Sequence, residues 1–392
     1  MSGPTTSPLA GLAASIAPAM VTLRRDLHRN PEVGWSEHRT TRVIAQHLLA
    51  AGLEPHIRPA GVGLVVEVGH GEPVVGFRAD LDALPIAEEA TTDYRSVSSK
   101  AMHACGHDVH SAVATGIAIA LVGTDRPPGT VRFVFQPAEE QMPGGAVTLV
   151  QEGVHEGMSA ILAFHVDPAL APGMVGLRAG GVTGASDRFT LRLSGPGGHT
   201  SRPHQTVDLV GVAGKVITEL PQLVRRGIDP RHTVLVVFGV VAGGTAENVI
   251  PSHLELGGTV RMFDLDLWRM MPKLLEQVVT DIATALGAAI DVDYQRGSPP
   301  VVNHAGVVAV VEEAARLALG PAGVTTTHQS LGSEDFAWYL DAVPGALVRL
   351  GAALPDRVVD LHSSTFDVDE RSIETGIHVG AAALLALLAE AG

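Results

Sequence analysis

The densest group of chemically able side chains lies in Met102-His-Ala-Cys-Gly-His-Asp-Val-His110. His103, Cys105, His107, Asp108 and His110 fall within eight residues. The apolar spacing that follows (Val109, Ala112, Val113, Gly116, Ile117, Ala120) predicts a buried helix over 108–122. Cys105 and His107 are two apart, so on an extended approach they point the same way. A helix N-terminus lowers a thiol pKa, and a thiolate beside imidazoles suits a transition metal such as zinc. The plainer alternative, a polar cap on a buried helix, leaves five ligand-capable side chains beside one apolar helix without a task.

Carboxylates supply the second signal. Glu139 and Glu140 in Gln136-Pro-Ala-Glu-Glu140 follow an apolar strand expected over 131–135. Open α/β sheets place ligands at such strand ends. Adjacent side chains diverge, so one carboxylate can hold a metal while its neighbour acts as base on water. In isolation the pair also reads as a solvated loop. Asp80 and Asp82 alternate around Leu81 after a strand over 74–78, and could orient ligand imidazoles. An Asp-capped turn before Leu84-Pro85 is their other reading. His165 closes a strand over 160–164; alone, such a residue is more often a satisfied core histidine. His362, in Leu361-His-Ser-Ser364, carries no assignment by itself.

The elements that must position these groups alternate. Helices are expected over 19–27 and 37–51, strands over 62–68 and 74–78, then the helix over 108–122. A strand over 131–135, a helix over 146–152 and a strand over 160–164 follow. That rhythm implies a largely parallel sheet covered by helices on both faces. Near Gly180 the pattern changes. Phe189-Thr-Leu-Arg-Leu193 alternates like a sheet with one exposed face. With a helix over 207–220, strands over 233–241 and 254–262, a helix over 268–286 and a strand over 289–294, it gives the split βαβ order of a ferredoxin-like unit. The expected fold is therefore mixed α/β. A catalytic domain with a largely parallel sheet spans 1–184 and 296–392, and a βαββαβ domain over 185–295 is inserted in it.

Bulk composition narrows the function. The chain has 392 residues, 46% hydrophobic and 18% charged, which is globular and not disordered. A formal charge of −15 disfavours nucleic acid and anionic membranes as partners. Cys105 is the single cysteine, so no intrachain disulfide forms and a reducing, cytoplasmic setting is expected. Residues 1–20 lack a basic region before their apolar stretch and read as a frayed start leading into a helix, not a signal peptide. The apolar run 379–388 is too short to span a bilayer and is expected in a buried helix.

Taken in order, several blocks resemble the M20 metallopeptidases, in the branch of N-acyl-amino acid amidohydrolases, hippurate hydrolases and auxin-conjugate hydrolases. They are Leu27-His28-Arg-Asn-Pro-Glu32, Phe77-Arg-Ala-Asp-Leu-Asp-Ala-Leu-Pro85, the 102–108 and 136–140 motifs, Gly198-His199-Thr-Ser-Arg-Pro203, Asn248-Val-Ile-Pro251, Gly258-Thr-Val-Arg261, Gly332-Ser-Glu-Asp-Phe336 and Leu361-His-Ser-Ser364. The resemblance implies two divalent metal ions (Zn, Mn, Co or Ni) held by Cys105, His107, Glu140, His165 and His362. It implies Glu139 as general base, with Asp80 and Asp82 supporting the ligands. It implies His199 as oxyanion donor, Asn248 and Arg261 as holders of a substrate carboxylate, and a homodimer formed through the insert, with the histidine lent to the neighbouring site. The reaction implied is hydrolysis of the amide bond of a small N-acyl amino acid by metal-activated water. Gln141-Met-Pro143 and the segment 88–100 depart from the family pattern near the expected substrate cleft, which bears on specificity. Three other readings stay open: an exopeptidase on the same scaffold, a cysteine hydrolase using Cys105, and a binding protein without turnover.

Overall fold

The computed structural model describes residues 8–124 and 127–392. The chain divides into two compact units, one of residues 1–180, 303–328 and 335–392, the other of residues 181–302 and 329–334. The expected frayed start falls partly on residues 1–7, outside the described residues. Beyond them the helix expected over 19–27 begins earlier, running from Pro8 to Arg29 and passing through Pro18. Proline removes one backbone donor and frees the carbonyl four residues back. Here Ala14 and Pro18 are both exposed, so that carbonyl meets water. The buried stripe Ala13, Ala17, Met20, Leu23, Leu27 recurs at helical spacing and supplies the packing that outweighs the lost bond.

The first unit is built on a mixed sheet of eight strands. Its order is His56–Ile57, Leu64–Gly69, Thr130–Gln136, Val74–Asp80, Met158–Asp167, Gly345–Gly351, Val175–Leu177, Val324–Thr326. The central four strands are mutually parallel. Leu64–Gly69 joins antiparallel at one side, and Val175–Leu177 at the other. Val74–Asp80 is buried along its whole length, as a strand covered on both faces must be. Its residues Val75, Phe77 and Ala79 join the large apolar core with the helices. Side chains of the opposite parity, such as Arg78, project the other way. On that second side the short helices Gly145–Gln151 and Ala337–Ala342 pack on each other.

Helix His38–Ala50 lends Ile44, Ala45 and Leu48 to the core, which four further helices close: Pro8–Arg29, His107–Val122, Ala305–Leu319 and Arg371–Ala391. The last is long and apolar enough by length and composition to cross a membrane. Its Ile373, Ile377, Leu384 and Leu388 are instead buried, and it contacts the other three helices. A helix apolar on most sides is what a position at the centre of a helical layer requires.

In the second unit four strands run in the order Val234–Gly243, His253–Met262, Ala185–Ser194, Ala289–Gln295, antiparallel throughout. That is the ferredoxin-like order. Ala185–Ser194 alternates between buried and open positions, as its sequence predicted. Helices Leu209–Arg226 and Leu265–Ala285 pack together. Asp208 and Asp264 cap them, accepting from the amides of Gly211 and Leu267.

Candidate metal centre

The ends of three neighbouring parallel strands carry candidates: Asp80 at the end of Val74–Asp80 and Asp82 just after it, Glu139 and Glu140 after Thr130–Gln136, and His165 within Met158–Asp167. Helix His107–Val122 begins beside them. Gly106, which precedes it, has φ 82°, and a Cβ there would lie 2.4 Å from Val166 Cγ2. Both facts demand glycine. The turn that follows fixes Cys105 and His107 against the strand of His165.

Donor atoms converge there. Single atoms from Cys105, His107 and His165, from Cys105, Glu140 and His362, and from His107, Glu139 and Glu140 lie within 4.8 Å of one another in each group. Cys105 Sγ is 3.5 Å from His165 Nε2. Glu140 Oε1 is 3.2 Å from His362 Nε2 and 4.0 Å from His107 Nε2. His107 Nε2 is buried and makes no hydrogen bond.

The other ring nitrogen of each inner histidine is occupied. His107 Nδ1–H donates to the Asp82 carbonyl at 2.9 Å and lies 3.3 Å from its carboxylate. His165 Nδ1–H donates to the Val166 carbonyl at 2.8 Å. In each ring Nε2 is then the nitrogen left to coordinate, with its orientation fixed. Asp82 also accepts the amides of Glu139 and Glu140, each at 3.0 Å. Ala138, just before them, has φ 54°. A left-handed residue beside right-handed ones turns successive N–H groups toward one anion. One aspartate thereby holds both the imidazole and the carboxylate turn. Glu139 Oε1 accepts from the Asp335 amide. Asp335 also binds Arg78, Gln136 and the amide of Ala146.

The remaining members of the 102–110 motif do other work. His110 Nδ1–H donates to Asp80 at 2.6 Å while its Nε2 accepts the Val166 amide at 2.9 Å. Both nitrogens are spent, so His110 is no ligand in this geometry. Asp80 holds His110 and Arg78. Asp108 is bound by Arg24 at 2.7 Å and by His28 at 2.8 Å. His103 is buried, and that burial lowers it to about 4. No local pattern separates these residues from Cys105 and His107; His110 is set apart by Val166, from another strand, and Asp108 by Arg24 and His28.

Electrostatics follow the same map. Burial alone would lower His107, but the Asp80 carboxylate, with Cys105 and a hydrogen bond to Asp82, outweighs it and holds the ring well above the ordinary histidine range. Burial lowers His165, helped by Arg349. Burial also pushes the Cys105 thiol up to about 12, so the protein alone does not make the thiolate that a cysteine nucleophile needs. A divalent cation in contact deprotonates a coordinating thiol.

The second unit holds the other candidates. His199 is exposed, and its Nδ1 accepts from the Ser201 amide at 3.1 Å with Ser201 Oγ at 2.8 Å. Nε2 therefore carries the proton of the neutral ring. Asn248 lies beside it, its carbonyl accepting the Thr200 amide. Arg261 sits elsewhere. It pairs in register with Ser186, whereas the strand leading to His199 ends at Ser194, paired with His253. Eight residues of strand separate the two ends, roughly 26 Å at the usual rise.

A model of peptidase family M20/M25/M40 matches residues 76–386. The chain belongs to this family. As a member it is a hydrolase of amide bonds. An N-acyl-L-amino acid amidohydrolase of Geobacillus stearothermophilus is 38% identical over 288 residues, 73% of this chain and 78% of that protein. A Rhodococcus jostii protein carrying a glutamate–cysteine ligase name is 41% identical over 363 residues, 91% of this chain. The chain spans only 45% of that longer relative. The solved structure of the Bacillus subtilis YXEP protein, named a dinuclear metal binding peptidase of the M20 family, superposes with a TM-score of 0.85. It is 32% identical, with 96% of this chain and 99% of that chain covered.

Proposed function

We propose that the chain hydrolyses the amide bond of a small N-acyl amino acid, with two divalent metal ions held by Cys105, His107, Glu140, His165 and His362. The observation that carries this reading is the convergence of ligand-capable atoms on Glu140 Oε1, which lies 3.2 Å from His362 Nε2 and 4.0 Å from the buried, unbonded His107 Nε2. A buried polar atom left without a partner costs about 1–3 kcal/mol, a cost that a cation held by these residues would remove for His107 Nε2. The mixed sulfur, nitrogen and oxygen donors fit Zn, Mn, Co or Ni.

When bound, the ions polarise the scissile carbonyl and acidify the attacking water. Glu139 takes a proton from that water as the oxygen bonds to the carbonyl carbon. It then passes the proton to the amide nitrogen as the C–N bond breaks, leaving a carboxylic acid and a free amine. The Asp335 amide fixes one oxygen of this base. His199, with its proton on Nε2, is suited to donate to the oxyanion. Arg261 offers a planar fork for the substrate carboxylate, and Asn248 a further polar contact.

Arg261 and the end of the strand that leads toward His199 lie at opposite ends of the four-stranded sheet, a span longer than one small substrate. This supports a homodimer in which one copy lends His199 to the other. The outer strand Val234–Gly243 exposes Leu235, Val237 and Val241, an edge suited to pairing across a two-fold axis. The name of the Geobacillus relative supports the substrate class. Amine release from N-acetyl, N-benzoyl and N-indoleacetyl amino acids and from dipeptides, with chelator and with metal restored, tests the reading. Chelator-sensitive release that metal restores is the expected result. Dipeptides turned over ahead of every acyl amino acid would make the chain an exopeptidase, and no release from metal-loaded protein would overturn the reaction.

A further inference from the structure

Glu37 occupies the position before helix His38–Ala50 yet forms no cap there. That task falls to Glu32, whose carboxylate oxygens accept the amides of Arg39 and Thr40 at 3.0 and 2.7 Å. Glutamate is not among the residues favoured at a helix cap. The Glu37 side chain turns away from its own helix and is fully buried. Its Oε1 accepts the amide of Ala138 at 2.8 Å, and its Oε2 has no partner.

Ala138 is the residue at φ 54° on which the Glu139–Glu140 turn pivots. An L-residue holds that conformation only where its surroundings impose it. Three successive amides therefore end on two buried carboxylates: Ala138 on Glu37, Glu139 and Glu140 on Asp82.

We propose that Glu37 is a positioning residue for the hydrolysis, fixing the Ala138 peptide so that Glu139 meets the attacking water in the productive orientation. The inference rests on Glu139 being the general base. Burial raises Glu37 to about 7, with Asp82 adding to the shift, so near neutrality a good fraction of molecules carry it as the uncharged acid. Glutamine reproduces that form and keeps an oxygen to accept the Ala138 amide. Alanine leaves the amide without an acceptor and the pivot without an anchor.

The test compares Glu37→Ala, Glu37→Gln and Glu139→Gln with the unmodified chain, in full-length metal-loaded protein, by amine release and metal content. The expected pattern is a fall in kcat of about tenfold or more for Glu37→Ala with KM and metal content kept, and recovery to within about threefold for Glu37→Gln. Glu139→Gln is inactive in the same assay. Wild-type kcat in Glu37→Ala beside an inactive Glu139→Gln would overturn the positioning role alone. Loss of metal from Glu37→Ala, or equal damage from Ala and Gln, would also overturn it. An active Glu139→Gln would remove the base assignment, and this inference with it.

Discussion

The candidate residues of the two units are held in opposite ways. In the first unit Cys105, His107 and His165 are buried, and each histidine has its second nitrogen tied to a carbonyl. In the second, His199, in the two-residue strand Gly198–His199, and Asn248, in the turn beside its partner strand, are exposed, and only the tautomer of His199 is fixed. Metal donors must be placed before the ion arrives, because side chains that reorganise lose affinity. A donor that meets a substrate, or a second copy of the chain, must instead stand clear of its own fold. Rigid burial marks the inner donors of the first role, His362 being the exposed member, and prepared exposure marks the second.

Substitutions can break or sharpen that contrast. Glu139→Gln has the largest expected effect, a loss of kcat of about 10²–10⁴-fold with metal content unchanged. Substantial remaining turnover would transfer the base to another group. His199→Ala should cost about 10²–10³-fold in kcat, again without loss of metal. Mixing His199→Ala with Glu139→Gln tests the lending of the histidine. If a second copy supplies it, the mixture regains activity that neither variant has, and silence would confine each site to one chain. Asp82→Asn should weaken metal affinity about 10–100-fold, read by competition with a chelator. A similar loss from His199→Ala would erase the distinction between the two regions.

The smallest expected effect on chemistry is in the second unit's interior. Asp187 there accepts from Trp268 Nε1, Tyr294 Oη and the Gly297 amide. Asp187→Ala strands those donors and should cost about 2–4 kcal/mol of stability, with metal content untouched. Burial raises Asp187 above the usual carboxylate range. Its contribution is therefore fully present below the unfolded value of about 3.9 and declines as pH rises through the raised folded value. Asp187→Asn should remove that pH dependence in denaturant titrations of the full chain.

What could be read in the sequence was what repeats locally. The helix after Asp108 and the alternation of Phe189 to Leu193 declare themselves within a few residues of chain, and the observed His107–Val122 and Ala185–Ser194 contain them. The strands Val175–Leu177 and Val324–Thr326 are too short to declare a period, and only their partners make them strands. The early helix start was hidden by Pro18, whose penalty is local while the packing that offsets it is not. The same limit applies at the centre. His110 looks as able as His107 until Val166 arrives to occupy it. Glu37 looked like the first residue of a helix, and its one available signal was a poor cap residue standing at a cap position.

Val166 also gives the glycine at 106 a reach beyond its own turn. Its amide holds His110, its carbonyl holds His165, and its side chain fills the space where a Cβ at 106 would stand. A single methyl group added at Gly106 would press on a lever connected to two imidazoles. The injury would be felt as misaimed nitrogen lone pairs several residues away, in a protein whose core volume had scarcely changed.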